Sequence, residues 1–124
     1  MELTKAEEQI MKILWKLKKG IIRSVVDEYN EPKPAYTTVA TIMKILEKKG
    51  FVGKNPIANS FEYYPLISKK DYTKGFLQRF VGKYFSNSYK SMISSLSENE
   101  NLSTSEIEEI ISLFQDQLNN KKEQ

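Results

Sequence analysis

The feature that most constrains this chain is a change of hydrophobic period at Gly50. Before it, apolar residues recur every three or four positions, the spacing of amphipathic helices. After it, Phe51-Val52-Gly53-Lys54-Asn55 and Phe61-Glu62-Tyr63-Tyr64 read as short strands around the loop Ile57-Ala58-Asn59-Ser60, and Pro65 ends the pairing or sits at its edge. Three helices precede the hairpin. In the first, Thr4 and Glu7 form a capping-box pattern ahead of Ile10, Ile13, Leu14 and Leu17, and Gly20 is expected at the left-handed C-terminal position. A short helix is predicted over about residues 23–29, with Val25, Val26 and Tyr29 inward. Pro32 and Pro34 then forbid continuation. The third helix is predicted over about residues 35–49, with Val39, Ile42, Met43 and Leu46 on its apolar face. Three short helices followed by a hairpin is the order of a winged helix, in which the third helix is presented to a partner.

Beyond Ser68 the pattern is helical again. Tyr72, Phe76, Phe80 and Tyr84 fall four residues apart, and a break is expected at Ser86-Asn87-Ser88. A shorter helix carries Tyr89, Met92, Ile93 and Leu96, and Ser97-Glu98-Asn99-Glu100-Asn101 reads as a loop. Ser103 and Glu106 then cap a helix striped by Ile107, Ile110, Ile111, Phe114 and Leu118, with a polar, frayed tail from Asn119. The expected fold is mainly α with a small β-hairpin wing. A winged helix-turn-helix spans residues 1–67 and a helical dimerisation segment spans 68–124.

The absence of cysteine and histidine removes disulfides, thiolate chemistry, the commonest general base and the commonest zinc ligand. Glu7/Glu8 and Glu106/Glu108/Glu109 are acidic clusters in first helical turns, where capping and the helix dipole account for them. No nucleotide-binding glycine motif is present. No enzyme activity, cofactor or metal site is therefore expected. No apolar run approaches the roughly 20 residues that span a bilayer, and the N-terminus does not read as a signal peptide, so a cytoplasmic location without membrane insertion is expected. Residues 1–70 hold 13 Lys+Arg against 8 Asp+Glu, whereas residues 71–124 hold 6 against 8. This asymmetry suits a front half that meets a polyanion.

On the third helix, Thr37, Thr38, Thr41, Lys44 and Lys48 lie opposite the apolar face. Threonine is a poor helix-surface residue because β-branching restricts its side chain, but small hydroxyls can approach a duplex closely. Taken alone, this face suits an ordinary polar surface nearly as well as a DNA-facing one; the helix–hairpin order favours DNA. A winged-helix protein-interaction module is the first alternative and calls for an apolar third-helix face. A small-ligand sensor using the aromatic stripe is the second. The stripes Tyr72, Phe76, Phe80, Tyr84 and Ile107, Ile110, Ile111, Phe114, Leu118 are too wide for a segment of about 55 residues to cover alone, which favours a homodimer.

These residues resemble the penicillinase repressor family of winged-helix transcriptional regulators. Leu3-Thr4-Lys5-Ala6-Glu7 with Ile10-Met11-Lys12-Ile13-Leu14-Trp15 is similar to that family's opening signature. Tyr36-Thr37-Thr38-Val39-Ala40-Thr41 resembles its recognition-helix start, and Leu46-Glu47-Lys48-Lys49-Gly50-Phe51-Val52 and Phe61-Glu62-Tyr63-Tyr64-Pro65-Leu66 resemble its wing strands. The resemblance continues at Leu102-Ser103 and Glu106-Ile107-Glu108-Glu109-Ile110 and implies a dimeric repressor on a palindromic double-stranded operator. Tyr36, Thr37, Thr38, Thr41 and Lys44 are expected in the major groove, Lys48 beside them, and Lys54 and Asn59 on the backbone or minor groove. Several family members are inactivated by a regulatory protease at an Asn-Phe bond; the matching position here is Ser95-Leu96. The copper-responsive branch uses C-terminal cysteines that this chain lacks.

Overall fold

The computed structural model describes residues 2–99 and 101–123; Glu100 of the expected loop and Gln124 of the expected tail lie outside them. The chain divides into two compact units, one through Phe76 and one from Leu77.

The first unit opens with α1 (Lys5–Leu17). Thr4 Oγ1 accepts from the Glu7 amide at 3.1 Å, and Glu7 Oε1 accepts from the Thr4 amide at 2.8 Å, so the capping box is complete. At the other end, Lys18 rather than Gly20 takes the left-handed conformation, with φ 74°. Gly20 instead exchanges two backbone hydrogen bonds with Tyr63, at 2.9 and 2.8 Å, tying the α1–α2 connection to the hairpin. Helix α2 (Ile22–Asp27) follows. The segment after it contains a cis Glu31–Pro32 bond, and Lys33 Nζ donates to the Asp27 and Tyr29 carbonyls at 2.8 and 2.6 Å. The Asp27 carbonyl is one that a helix leaves unpaired at its C-terminal end, and Tyr29 lies just beyond α2.

Helix α3 (Tyr36–Lys48) runs to Gly50, whose φ of 84° turns the chain into the hairpin. Strands β1 (Val52–Ile57) and β2 (Ser60–Pro65) pair antiparallel from Val52↔Pro65 to Ile57↔Ser60, around the two-residue turn Ala58-Asn59. The strands are longer than the hydropathy pattern implies, and Pro65 keeps a place opposite Val52. Gly53 lets the tip of the Tyr64 side chain lie against the backbone: a Cβ there would stand 2.6 Å from Tyr64 Cζ, and the ring would have to move. Ile10 and Leu14 of α1, Val25 of α2, Val39, Met43 and Leu46 of α3, and Val52 of β1 are all fully buried in one core. This arrangement of three helices and a hairpin is a winged helix.

Helix α4 (Lys69–Phe85) starts at Ser68, whose Oγ accepts from the Asp71 amide at 3.0 Å. Its first turns belong to the first unit. Trp15 Nε1 donates to the Ile67 carbonyl at 2.9 Å, and the Tyr72 ring lies 5.6 Å from Trp15 and 6.2 Å from Phe51. Those contacts carry the compact unit past Ile67.

The second unit holds the rest of α4, α5 (Tyr89–Ser97) and α6 (Thr104–Lys122). Ser86 and Asn87 both take positive φ and end α4. Ser88 and Ser103 cap the two following helices. Helix α6 continues to Lys122, past the Asn119 at which fraying is expected from composition. Val81 is the single buried hydrophobic residue described in this unit.

Candidate nucleic-acid interface

Three fully buried side chains of α3, Val39, Met43 and Leu46, fix which face of the helix points outward. At its C-terminal end a second anchor operates. Lys49 Nζ contacts Glu7 Oε1 and Oε2 at 2.8 and 2.9 Å, and Glu7 is only 4% exposed. Burial by itself raises the carboxyl pKa of Glu7. The Lys49 ammonium and the hydrogen bonds from Thr4 outweigh it and hold the group below its ordinary value. The acidic first turn of α1 therefore positions α3.

The face left outward carries Thr37, Thr38, Thr41, Lys44 and Lys48, all exposed, while Tyr36, in line with Val39 and Met43, is exposed at the start of the helix. Thr41 Oγ1 donates to the Thr37 carbonyl at 2.9 Å, so its hydroxyl hydrogen is committed to its own helix. Ion pairing sorts the first unit's cations. Lys12 lies beside Glu8, Lys16 beside Glu28, Lys19 beside Glu62, Lys49 beside Glu7 and Lys54 beside Glu47. Among the described residues no carboxylate lies within ion-pair distance of Lys44 or Lys48, a condition they share with Lys5, Lys18, Arg23, Lys33, Lys69, Lys70 and Lys74. Positive charge on α3 is thus left uncompensated and facing solvent.

In the wing, Asn59 is exposed at the turn. Lys54 is more constrained: its Nζ is 3.3 Å from Glu47 Oε2 and 4.5 Å from the Phe61 ring centroid. It links the wing to α3 in the free protein. Sequence patterns did not reveal this pair, or Lys49–Glu7, because each joins residues from different elements. They also left Ile45, which is 42% exposed on α3, out of the DNA-facing set. A helical projection at about 100° per residue places it among the threonines.

The residues expected to dimerise fall in both units. Tyr72 is half-buried against Trp15 and Phe51, with its hydroxyl 3.2 Å from Glu8 Oε2; Phe76 beside it is exposed. In the second unit Phe80, Tyr84, Ile110, Ile111, Phe114 and Leu118 are all exposed, and Leu113, absent from the expected stripe, is 66% exposed. Ile107 is half-buried. It shares with Met92, Ile93, Leu96, Ser97, Leu102, Ile110, Ile111 and Phe114 the wall of a largely apolar cavity of about 350 Å³. Ser95 and Leu96 are both exposed on α5. Among the described residues no group of acidic side chains is placed to hold a metal, and no helix is long and apolar enough to cross a membrane.

The penicillinase repressor family profile matches residues 3–116. The chain belongs to the penicillinase repressor family. It is similar to the methicillin resistance regulatory protein MecI of Staphylococcus aureus strain N315, 29% identical over 110 residues, which are 88% of this chain and 89% of that protein. It is also similar to the penicillinase repressor of Bacillus licheniformis, 28% identical over 123 residues, or 98% and 96% of the two chains. Among solved structures, that of the DNA-binding domain of the repressor BlaI matches with a TM-score of 0.51 and 28% identity, covering 57% of this chain and 88% of that one. The first unit of this penicillinase repressor family member thus has a winged-helix counterpart, and the relatives bear the names of regulators and repressors rather than enzymes.

Proposed function

We propose that this protein is a sequence-specific DNA-binding transcriptional repressor that acts in the cytoplasm and covers a palindromic operator as a homodimer. The observation that carries the reading is the outer face of α3: three threonines and two lysines without carboxylate partners, on a rigidly anchored helix of a winged-helix unit. Tyr36, Thr37, Thr38, Thr41 and Lys44 enter the major groove, Lys48 contacts phosphate, and Asn59 at the wing tip approaches the backbone or minor groove. Lys54 reaches phosphate only by leaving Glu47.

Dimerisation is supported by the second unit, which presents at least six large apolar side chains to solvent around one buried valine among the described residues. Such a surface exceeds what a soluble monomer tolerates. A second copy covers Phe80, Tyr84, Ile110, Ile111, Phe114 and Leu118 and fills the apolar cavity. It also sets two recognition helices one DNA turn, or a multiple of it, apart. In this reading residues 1–67 form the DNA-binding domain and 68–124 the helical dimerisation domain, although the compact units divide later, between Phe76 and Leu77, because Tyr72 packs on the first unit. Regulation by a protease acting near Ser95-Leu96 is compatible with the exposure of both residues.

The test is selection of duplexes from a random pool by the full-length protein, followed by binding at several salt concentrations. Enriched duplexes should carry two inverted half-sites. Affinity should fall by about 0.9 log unit per log unit of salt for each phosphate neutralised. No enrichment, or salt-independent binding, would remove the DNA reading. The interaction-module alternative needs a largely apolar α3 face, which the threonines and lysines do not supply.

A further inference from the structure

We infer that Ile45 is a specificity-determining residue that reads the C5-methyl group of a thymine in the major groove. The inference rests on the proposed DNA-facing role of α3 and names the base chemistry that face recognises. Ile45 is 42% exposed, whereas the three apolar residues that anchor the same helix, Val39, Met43 and Leu46, are completely buried. It lies four residues after Thr41 and seven after Thr38, on the same face as both. A helical side chain leans toward the N-terminal end of its helix, so Ile45 covers the turn that carries Thr41.

The Thr41 hydroxyl donates to the Thr37 carbonyl, which leaves that residue with acceptor capacity and a methyl group. The centre of the outer face therefore combines threonine methyls with an isoleucine, flanked by Lys44 and Lys48. A protein interface is poor in lysine at its centre, so an exposed isoleucine bordered by Thr38, Thr41 and Lys48 matches one poorly. Phosphate offers isoleucine nothing. Among the base edges of the major groove, thymine alone presents a methyl group. A β-branched aliphatic residue also has few rotamers to lose on contact.

The experiment uses the full-length protein and the duplex it selects from a random pool. Each thymine is replaced in turn by deoxyuridine, which deletes only the methyl group. Wild-type, Ile45→Ala and Ile45→Val proteins are titrated against each duplex, and circular-dichroism melts verify that all three fold. At one thymine per half-site, uracil should weaken wild-type binding about fourfold, the worth of burying one methyl-sized group. Ile45→Ala, which loses the contact at both half-sites, should bind the thymine duplex about sixteenfold more weakly, about fourfold for each half-site, and be indifferent to uracil there. Ile45→Val should retain part of the discrimination. If uracil costs wild type and Ile45→Ala the same at every position, the Ile45 inference is overturned while the DNA reading stands. If no duplex is enriched, both fall.

Discussion

Replacing Lys49 by methionine would test how α3 is held. The substitution keeps the aliphatic stem but removes the ammonium that contacts both Glu7 oxygens, at 2.8 and 2.9 Å. The Glu7 side chain is 5% exposed and that of Lys49 29%, so the change strands a buried carboxylate rather than a solvated one. Breaking a fully buried pair costs roughly 3–5 kcal/mol, and a charged hydrogen bond is worth about 1.5–3 kcal/mol. Partial exposure of Lys49 and the surviving Thr4 hydrogen bonds lower the expected loss to about 2–4 kcal/mol. Trp15 is the only tryptophan and reports on this unit, so urea unfolding followed by its fluorescence measures the effect.

The pH dependence supplies a sharper check. In wild type the Glu7 pKa is depressed by folding. Its stabilisation is complete above the unfolded value, about 4.3, and is lost as pH falls through the lower folded value. In Lys49→Met the burial that raises the pKa has lost its main opponent, so Glu7 protonates more readily and the penalty is relieved in acid. The gap between the two proteins should therefore narrow from pH 7 to about pH 3.5. A gap below about 0.5 kcal/mol at pH 7, or one that widens in acid, would refute this account of how α3 is anchored.

Three further outcomes are expected. Thr41→Val should keep operator affinity within about threefold, well short of the roughly 1–3 kcal/mol of a base-reading hydrogen bond, because the hydroxyl already serves Thr37; a larger loss in a titration would show that the hydroxyl turns to the DNA. Gly53→Ala should destabilise the first unit by about 1–3 kcal/mol in the same urea assay, since its Cβ would collide with the Tyr64 ring. Phe114→Asp should shift the full-length protein toward monomer in sedimentation at micromolar concentration, while the Trp15-monitored transition stays within about 0.5 kcal/mol of wild type.

The parts of the fold legible in the sequence are those set by local chemistry. Thr4 and Glu7 close a capping box, Ser68 and Ser103 cap their helices, and the spacing of Val39, Met43 and Leu46 fixes which side of α3 is buried. What was not legible depends on partners distant in the chain. Gly20 pairs with Tyr63 across 43 positions, so the left-handed turn falls two residues earlier, on Lys18. Tyr72 belongs to a helix striped with aromatics, yet its ring packs on Trp15 and Phe51. Lys54 reads as a free wing cation until Glu47 and Phe61 are seen beside it. Ile45 could have been placed from the helical projection alone; alternation with threonine and lysine obscured it.

The central claim, two chains on one symmetric operator, is tested most directly by sedimentation of the full-length protein with a selected duplex that contains a single inverted repeat. The account predicts one complex of two chains per duplex, dissolving into free dimer and free DNA as salt is raised. A saturated complex of one chain per duplex, or no co-sedimentation at low salt, would contradict it.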